Sequence, residues 1–430
     1  MLPKKVLSGF DRGTIVAIFL YSVFGILLGT TFIDAFSKFE LISHIFQAAA
    51  LAYLLVADVV NFVSGRIRIT WVLLLLIVCG CGNYVSTSHT FFLVLSLFFA
   101  AFAVLPYQRV LKWYSWCMFV TLCFVIVCSL AGVIPNLVDQ SVSVGTRYLL
   151  GFQTATLPLS ILLFATLSYF VGNCGKLPWW YWLGDVAATL LLFYATKTRT
   201  GMLLNLLLLF LAFFSGPLSK GFYRHATSKW LRFLTYASPF IVLLFLAVAF
   251  ELFWTQPEGI GGSLNRLLSQ RLNFSTNMFR SNPPSFFGNL TNKFNAEGVY
   301  IGVDICYLYY LSEYGILAFI MTLVLQLMLF HEALVTRDHA VWLAMLLILI
   351  DGITEPYLLD YKYNLIFFLA SLSMLPSSTR KRVEFTLRVH QAMTVFKKVA
   401  IILPKEQAAF APFINIKVSA IENAFQKPSK

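Results

Sequence analysis

The chain is expected to fold as an all-α polytopic membrane protein with about twelve transmembrane helices, and three features of its sequence lead there. Of its 430 residues, 59% are hydrophobic and 12% charged, with a mean hydropathy of +0.78. A soluble domain carries about 25% charged residues because water meets its whole surface. The apolar residues also fall into runs of about 20, the length that crosses a hydrocarbon core. Finally, most of the 32 Lys and Arg lie between alternate runs and in the C-terminal segment, the bias of cytoplasmic faces. The net charge of +13 is therefore read as membrane orientation. Nucleic-acid binding would need a basic patch on a soluble fold.

In chain order the apolar runs of the first half are 14–36, 41–60, 69–85, 89–105, 113–134 and 152–172. Those of the second half are 179–196, 200–215, 233–253, 302–330, 339–358 and 361–376, the last two interrupted by Glu355, Pro356 and Asp360. The first run follows Lys4, Lys5 and Arg12 and exceeds the length of a signal h-region, so it reads as a span. Arg66, Arg68, Arg109, Lys112, Lys176, Arg224 and Arg337 then mark cytoplasmic turns. An even count with this bias puts both termini in the cytoplasm. Residues 1–376 form a single transmembrane domain, and 377–430 a basic cytoplasmic tail.

Two segments are long and polar. The loop 254–301, between the ninth and tenth spans, faces outward; its Pro, Gly and Asn punctuate turns, and L-N-R-L-L-S-Q-R-L suits a short interfacial helix. The tail interleaves Arg380, Lys381, Arg382, Arg388, Lys397 and Lys398 with Phe385, Leu387 and Phe396, a pattern for an anionic membrane surface or a topology-fixing tail.

Cys79, Cys81, Cys117, Cys123, Cys128, Cys174 and Cys306 lie in or beside apolar stretches, odd in number and without paired C-x-x-C. Neither a zinc site nor a disulfide framework follows; they are small hydrophobes. No H-E-x-x-H, P-loop, G-x-S-x-G or kinase-like string occurs.

The informative charges are those that orientation does not need. Arg147, Arg199, Arg271 and Arg280 fall on the outer side, with Lys197 two residues before Arg199 in T-K-T-R-T-G. Cations at a span mouth are costly unless water or an anion meets them, and the guanidinium fork matches phosphate oxygens. The competing reading is ordinary snorkelling. Tyr300, Asp304, Tyr307 and Tyr314 share one face of a regular helix, either a carboxylate flanked by phenols for a sugar or an interfacial belt. Glu297 precedes them. Asp351 and Glu355 stand one turn apart, and intramembrane acids are functional hypotheses by default.

In order along the chain stand R-Y-L-L-G-F-Q-T from Arg147, T-K-T-R-T-G at 196–201, L-N-R-L-L-S-Q-R-L-N-F, P-P-S-F-F-G, and D-I-C-Y-L-Y-Y-L-S-E-Y-G at 304–315. With the late outer loop, this order resembles the Wzy-type polysaccharide repeat-unit polymerases of the O-antigen ligase and polymerase superfamily, over residues 145 to 370. The resemblance implies a GT-C-like membrane glycosyltransferase. It would move a growing glycan from undecaprenyl pyrophosphate onto another lipid-linked repeat unit on the outer face of the bacterial cytoplasmic membrane, without cofactor or metal. It implies pyrophosphate binding by Arg147, Arg199, Arg271, Arg280 and Lys197, a base at Asp304 or Glu297, and glycan contacts at Tyr300 and Tyr307. A flippase and a chain-length-regulating co-polymerase would be partners, alongside membrane lipids. The O-antigen ligases carry a histidine in the large outer loop, which 254–301 lacks. The rival of another class is a lipid-linked glycan flippase or transporter, whose folds show repeats and broken helices.

Overall fold

The computed structural model describes residues 4–141, 145–268, 270–281, 283–289 and 305–376. The basic tail therefore lies outside the described residues, as do Glu297, Tyr300 and Asp304. The described chain is mostly helical. Its helices run α1 Lys4–Leu27, α2 Phe32–Ala35, α3 Phe39–Val63, α4 Trp71–Thr87, α5 Phe91–Phe102 and α6 Tyr107–Leu130. A hairpin of β1 Val138–Ser141 and β2 Gly145–Tyr148 follows, then α7 Leu157–Gly172, α8 Trp179–Thr196, α9 Arg199–Phe213, α10 Ser215–His225 and α11 Lys229–Thr255. The segment after α11 contributes α12 Ile260–Leu267 and α13 Arg271–Ser281. After it come α14 Cys306–Tyr309, a π-helical turn over Tyr310–Tyr314, α15 Gly315–Thr336, α16 His339–Asp351 and a 3-10 helix over Leu365–Met374.

Among the described residues, five helices are long and apolar enough to cross a membrane, or six if α9 and α10, bent by 74°, make one span. That is fewer than the twelve apolar runs. The shorter apolar helices, α4, α5, α7, α16 and the 3-10 helix, hold 10–17 residues, so in α geometry even the longest reaches only about 25 Å of a hydrocarbon core of about 30 Å. Hydropathy counts an apolar residue alike whether it faces lipid or protein. In α7 every residue but Tyr169 is buried, the mark of a helix enclosed by others, here α6, α8, α9, α16 and the 3-10 helix. By contrast Leu191, Leu203, Phe210, Phe240 and Leu244 on α8, α9 and α11 are exposed, as lipid-facing surfaces are.

Several boundaries differ from the hydropathy reading for local reasons. The first helix stops at Leu27 because the next backbone groups pair elsewhere: Thr31 N–H donates to Gly151 O at 2.9 Å, and Gln153 N–H to Gly29 O at 3.0 Å. Helix α16 ends at Asp351, five residues before Pro356, which lacks an N–H to continue a helix. The hairpin, in register Asp139↔Arg147, was not expected from an all-α pattern.

Contacts between turns sort into two groups that alternate along the chain, as antiparallel helices require. One group joins 29–31, 83–88, 151–155, 198, 271–287, 306–316 and 351–364. Within it, Thr198 Oγ1 donates to Ala155 O (2.9 Å), Asn83 Nδ2 to Tyr314 O (2.8 Å) and Cys306 N–H to Gly352 O (3.0 Å). The other joins the basic turns. Arg66 bonds Asp11 at 2.8 Å, Arg68 N–H donates to Met374 O at 2.9 Å, and Tyr107 Oη donates to Asp338 Oδ2 at 3.3 Å.

Candidate functional site

The first group of turns holds a buried charge cluster. Arg271 opens α13, and its position is fixed by a stapled corner with α12. Asn265 Nδ2 donates to Gln270 Oε1 (2.7 Å), while Asn265 Oδ1 accepts from Asn273 N–H (3.2 Å). Gln270 adopts a left-handed φ of +69° at the corner itself. From this corner Arg271 Nη2 donates to Glu355 Oε1 at 2.7 Å. Arg271 is 7% exposed, Glu355 4% and Asp351 1%. The two acids stay one turn apart at the end of α16, since Glu355 N–H donates to Asp351 O at 2.8 Å. Asp351 lies close enough to feel both the Glu355 and the Arg271 charge. Among the described residues, the Arg271–Glu355 pair thus stands with Asp351 one turn away inside an apolar bundle, where charges persist only when paired.

The loop that carries Glu355 continues through Asn364 and is tied at each step. Leu359 N–H donates to Tyr310 Oη (3.3 Å), Asn364 Nδ2 to Leu358 O (2.7 Å), and Tyr363 N–H to Asp360 O (3.0 Å). Tyr357 packs edge-on against Tyr363, with ring centroids 5.1 Å apart. The R-Y-L-L-G-F-Q-T stretch and the T-K-T-R-T-G turn are therefore joined through Ala155, and the Arg271–Glu355 pair stands in the same group of turns.

Arg147, Arg199 and Lys197 stand on separate elements. Arg147 sits on β2 with its Nε 3.8 Å from Asp139 Oδ2, its cross-strand neighbour. Arg199 is exposed at the start of α9. Lys197 ends α8 in a left-handed conformation (φ 54°) with Nζ 4.5 Å from the Tyr194 ring centroid. Arg280 lies in the last turn of α13, its side chain outside the described residues. Tyr307 is buried, and its hydroxyl accepts from Gln326 Nε2 at 3.1 Å. Tyr314 stands in different company, among Phe91, Phe92, Tyr309 and Tyr310. The π turn between them widens the helix and breaks the single face that a regular 3.6-residue period implies.

That π turn ends at Gly315 (φ 88°, ψ 179°), whose backbone lies against Gly288 of P-P-S-F-F-G; a Cβ at Gly315 would come 2.3 Å from Gly288 N. Ile316 and Leu317 N–H donate to Ser285 O and Phe286 O at 3.0 and 3.2 Å. The loop thus caps the start of α15.

Sequence reasoning passed over Asp360, Lys362 and Tyr357 because they interrupted apolar runs and looked like a turn. The available signal was an acid and a lysine two residues apart in an otherwise apolar stretch. Among the described residues no group of three or more His, Cys, Asp or Glu could hold a metal.

By its fold, the protein is of the helical class whose long apolar helices suit a membrane. No protein-family model and no curated protein matches the chain.

Proposed function

We propose that the chain is a membrane glycosyltransferase that joins undecaprenyl-pyrophosphate-linked oligosaccharide repeat units into surface polysaccharide at the outer face of the bacterial cytoplasmic membrane. The observation that carries this reading is the buried Arg271–Glu355–Asp351 cluster in the group of turns that also holds the motif segments. The order of those motifs and the basic turns at the opposite end support it. In this reading the chain crosses the membrane about twelve times with both termini cytoplasmic, the shorter helices being tilted or locally thinning the bilayer.

The acceptor hydroxyl oxygen attacks the anomeric carbon of the donor. The bond from that carbon to the pyrophosphate oxygen breaks, its electron pair leaving with the pyrophosphate, and the hydroxyl proton passes to a base. Negative charge grows on the leaving group, so a preorganised cation lowers the barrier where it meets that charge. Arg271 is such a cation: Glu355 holds one arm of its fork in place before any ligand arrives. Arg147, Arg199, Arg280 and Lys197 would extend the positive field around it, and Asp304 or Glu297 would take the proton.

The test is deletion in the native host, with lipid-linked intermediates resolved by gel and mass spectrometry. Single repeat units on the outer leaflet without long polymer are expected. Full-length polymer left on its carrier would make the protein a ligase, and units trapped on the cytoplasmic leaflet a flippase.

A further inference from the structure

The far end of the Asp351–Asn364 loop carries a second cation, built into a different wall from Arg271. Lys362 lies against α1, its stem filling the space over Gly25: a Cβ there would come 2.5 Å from Lys362 Cδ and 2.6 Å from Cγ. Gln47 of α3 reaches the same slot, its Nε2 3.3 Å from that point, and Gln47 is only 9% exposed. The lysine stem and a carboxamide donor therefore meet over Gly25, between α1 and α3.

The lysine is held loosely. Its Nζ stands 3.4 Å from Asp360 Oδ2, longer than the 2.7–2.9 Å of a strong charge-assisted bond. The other oxygen, Oδ1, already accepts the Lys362 backbone N–H at 3.0 Å. The side chain remains 31% exposed. An ammonium has three donors, and a phosphate could engage those that Asp360 does not use without displacing that acid.

The surroundings fit a lipid head group more than a soluble anion. On α3, Glu40 and His44 are exposed and 3.7 Å apart, and Gln47 is about one turn further into the helix. The exposed residues beside it, Ile42, Ile45 and Phe46, are apolar, and Phe46 stacks on Phe24 of α1 at 4.5 Å between centroids. A donor pair at the edge of an apolar surface is what a phosphate with hydrocarbon tails requires, since each half of such a molecule meets its own kind.

We infer that Lys362 and Gln47 form a binding site for the phosphate head group of a membrane lipid between α1 and α3. Two lipid classes carry that chemistry, a polyprenyl phosphate and a glycerophospholipid. Lys362 and Gln47 take no part in the glycan-transfer step proposed above, so this site stands or falls without it.

The experiment is native mass spectrometry of the purified full-length protein. Its probes are undecaprenyl phosphate, dioleoylphosphatidylglycerol and, as the neutral control, dioleoylglycerol. Lys362→Gln is expected to weaken binding of at least one phosphate probe by about tenfold or more, and Lys362→Arg to retain it. Gly25→Leu, which pushes the lysine stem out of its slot, should mimic Lys362→Gln, and the control should bind all variants alike. The probe that loses affinity names the lipid class. Unchanged binding of both phosphate probes by Lys362→Gln overturns the site, as does an equal loss by Lys362→Arg or an equal loss of the neutral control.

Discussion

Removing Arg271 and removing Glu355 should not cost the same, although the two share one bond. The pair is 2.7 Å long between groups 7% and 4% exposed, so either change acts where desolvation is severe. Stranding buried charge by deleting its partner costs about 3–5 kcal/mol. Arg271→Gln leaves the buried Glu355 carboxylate without the guanidinium that bonds it, and belongs in that range. Glu355→Gln leaves an amide oxygen that still accepts from the guanidinium. Its cost is that of one hydrogen bond to a charged group, about 1.5–3 kcal/mol. The assay is unfolding of detergent-solubilised protein, read by intrinsic tryptophan fluorescence. Arg271→Gln should be the less stable by about 2 kcal/mol, the difference of the two ranges. In the native host it should also abolish polymer. An Arg271→Met, Glu355→Leu double variant should recover part of the stability, because well-packed apolar replacements of a buried pair are often near neutral, yet remain without polymer. Equal destabilisation by the two single variants would refute the charge argument. Normal polymer from a well-expressed Arg271→Gln variant would remove Arg271 from the reaction.

Gly315→Ala puts a Cβ into a backbone conformation reserved for glycine and against Gly288 N. A loss of at least about 1–3 kcal/mol is expected, with faster proteolysis of the 254–301 loop as the readout. Asp338 caps α16 by accepting from Ala340 and Val341 N–H at 3.0 and 3.3 Å; Asp338→Ala should cost about 1–2 kcal/mol in the same unfolding assay. Arg66 bonds Asp11 and Asn61 but keeps about a fifth of its side chain in solvent, so Arg66→Ala should cost at most about 1 kcal/mol. For orientation, a cysteine at exposed Arg199 should react with a membrane-impermeant maleimide in intact cells, and one at exposed Arg224 only after permeabilisation; the reverse pattern would invert the topology.

Helix positions were legible in the sequence wherever an apolar run was bounded by polar punctuation. The run 179–196 coincides with α8, and 69–85 with most of α4, because Pro178 and Thr70 start these helices and left-handed Lys197 and Ser88 stop them. Legibility failed where the stop came from a distant partner. Nothing near Leu27 predicts a break; the pairing of Gly29 and Thr31 with 151–153 makes one. The π turn at Tyr310–Tyr314 was equally hidden, since the same residues in regular helix would give the face that was expected.

The sequence alone determined the solvent the protein prefers, its helical class and the sparse set of charges that its apolar segments must accommodate. These follow from composition and from periodicity over a few turns, quantities each segment carries within itself. Which of those charges meet was decided only by tertiary structure. Arg271 finds Glu355 across 84 residues, while Arg199, equally prominent in the sequence, is left exposed. The physical reason is that burying a charge is penalised by its whole surroundings. Those surroundings exist only once α13, α16 and the 352–364 loop have been brought to the same end of the bundle.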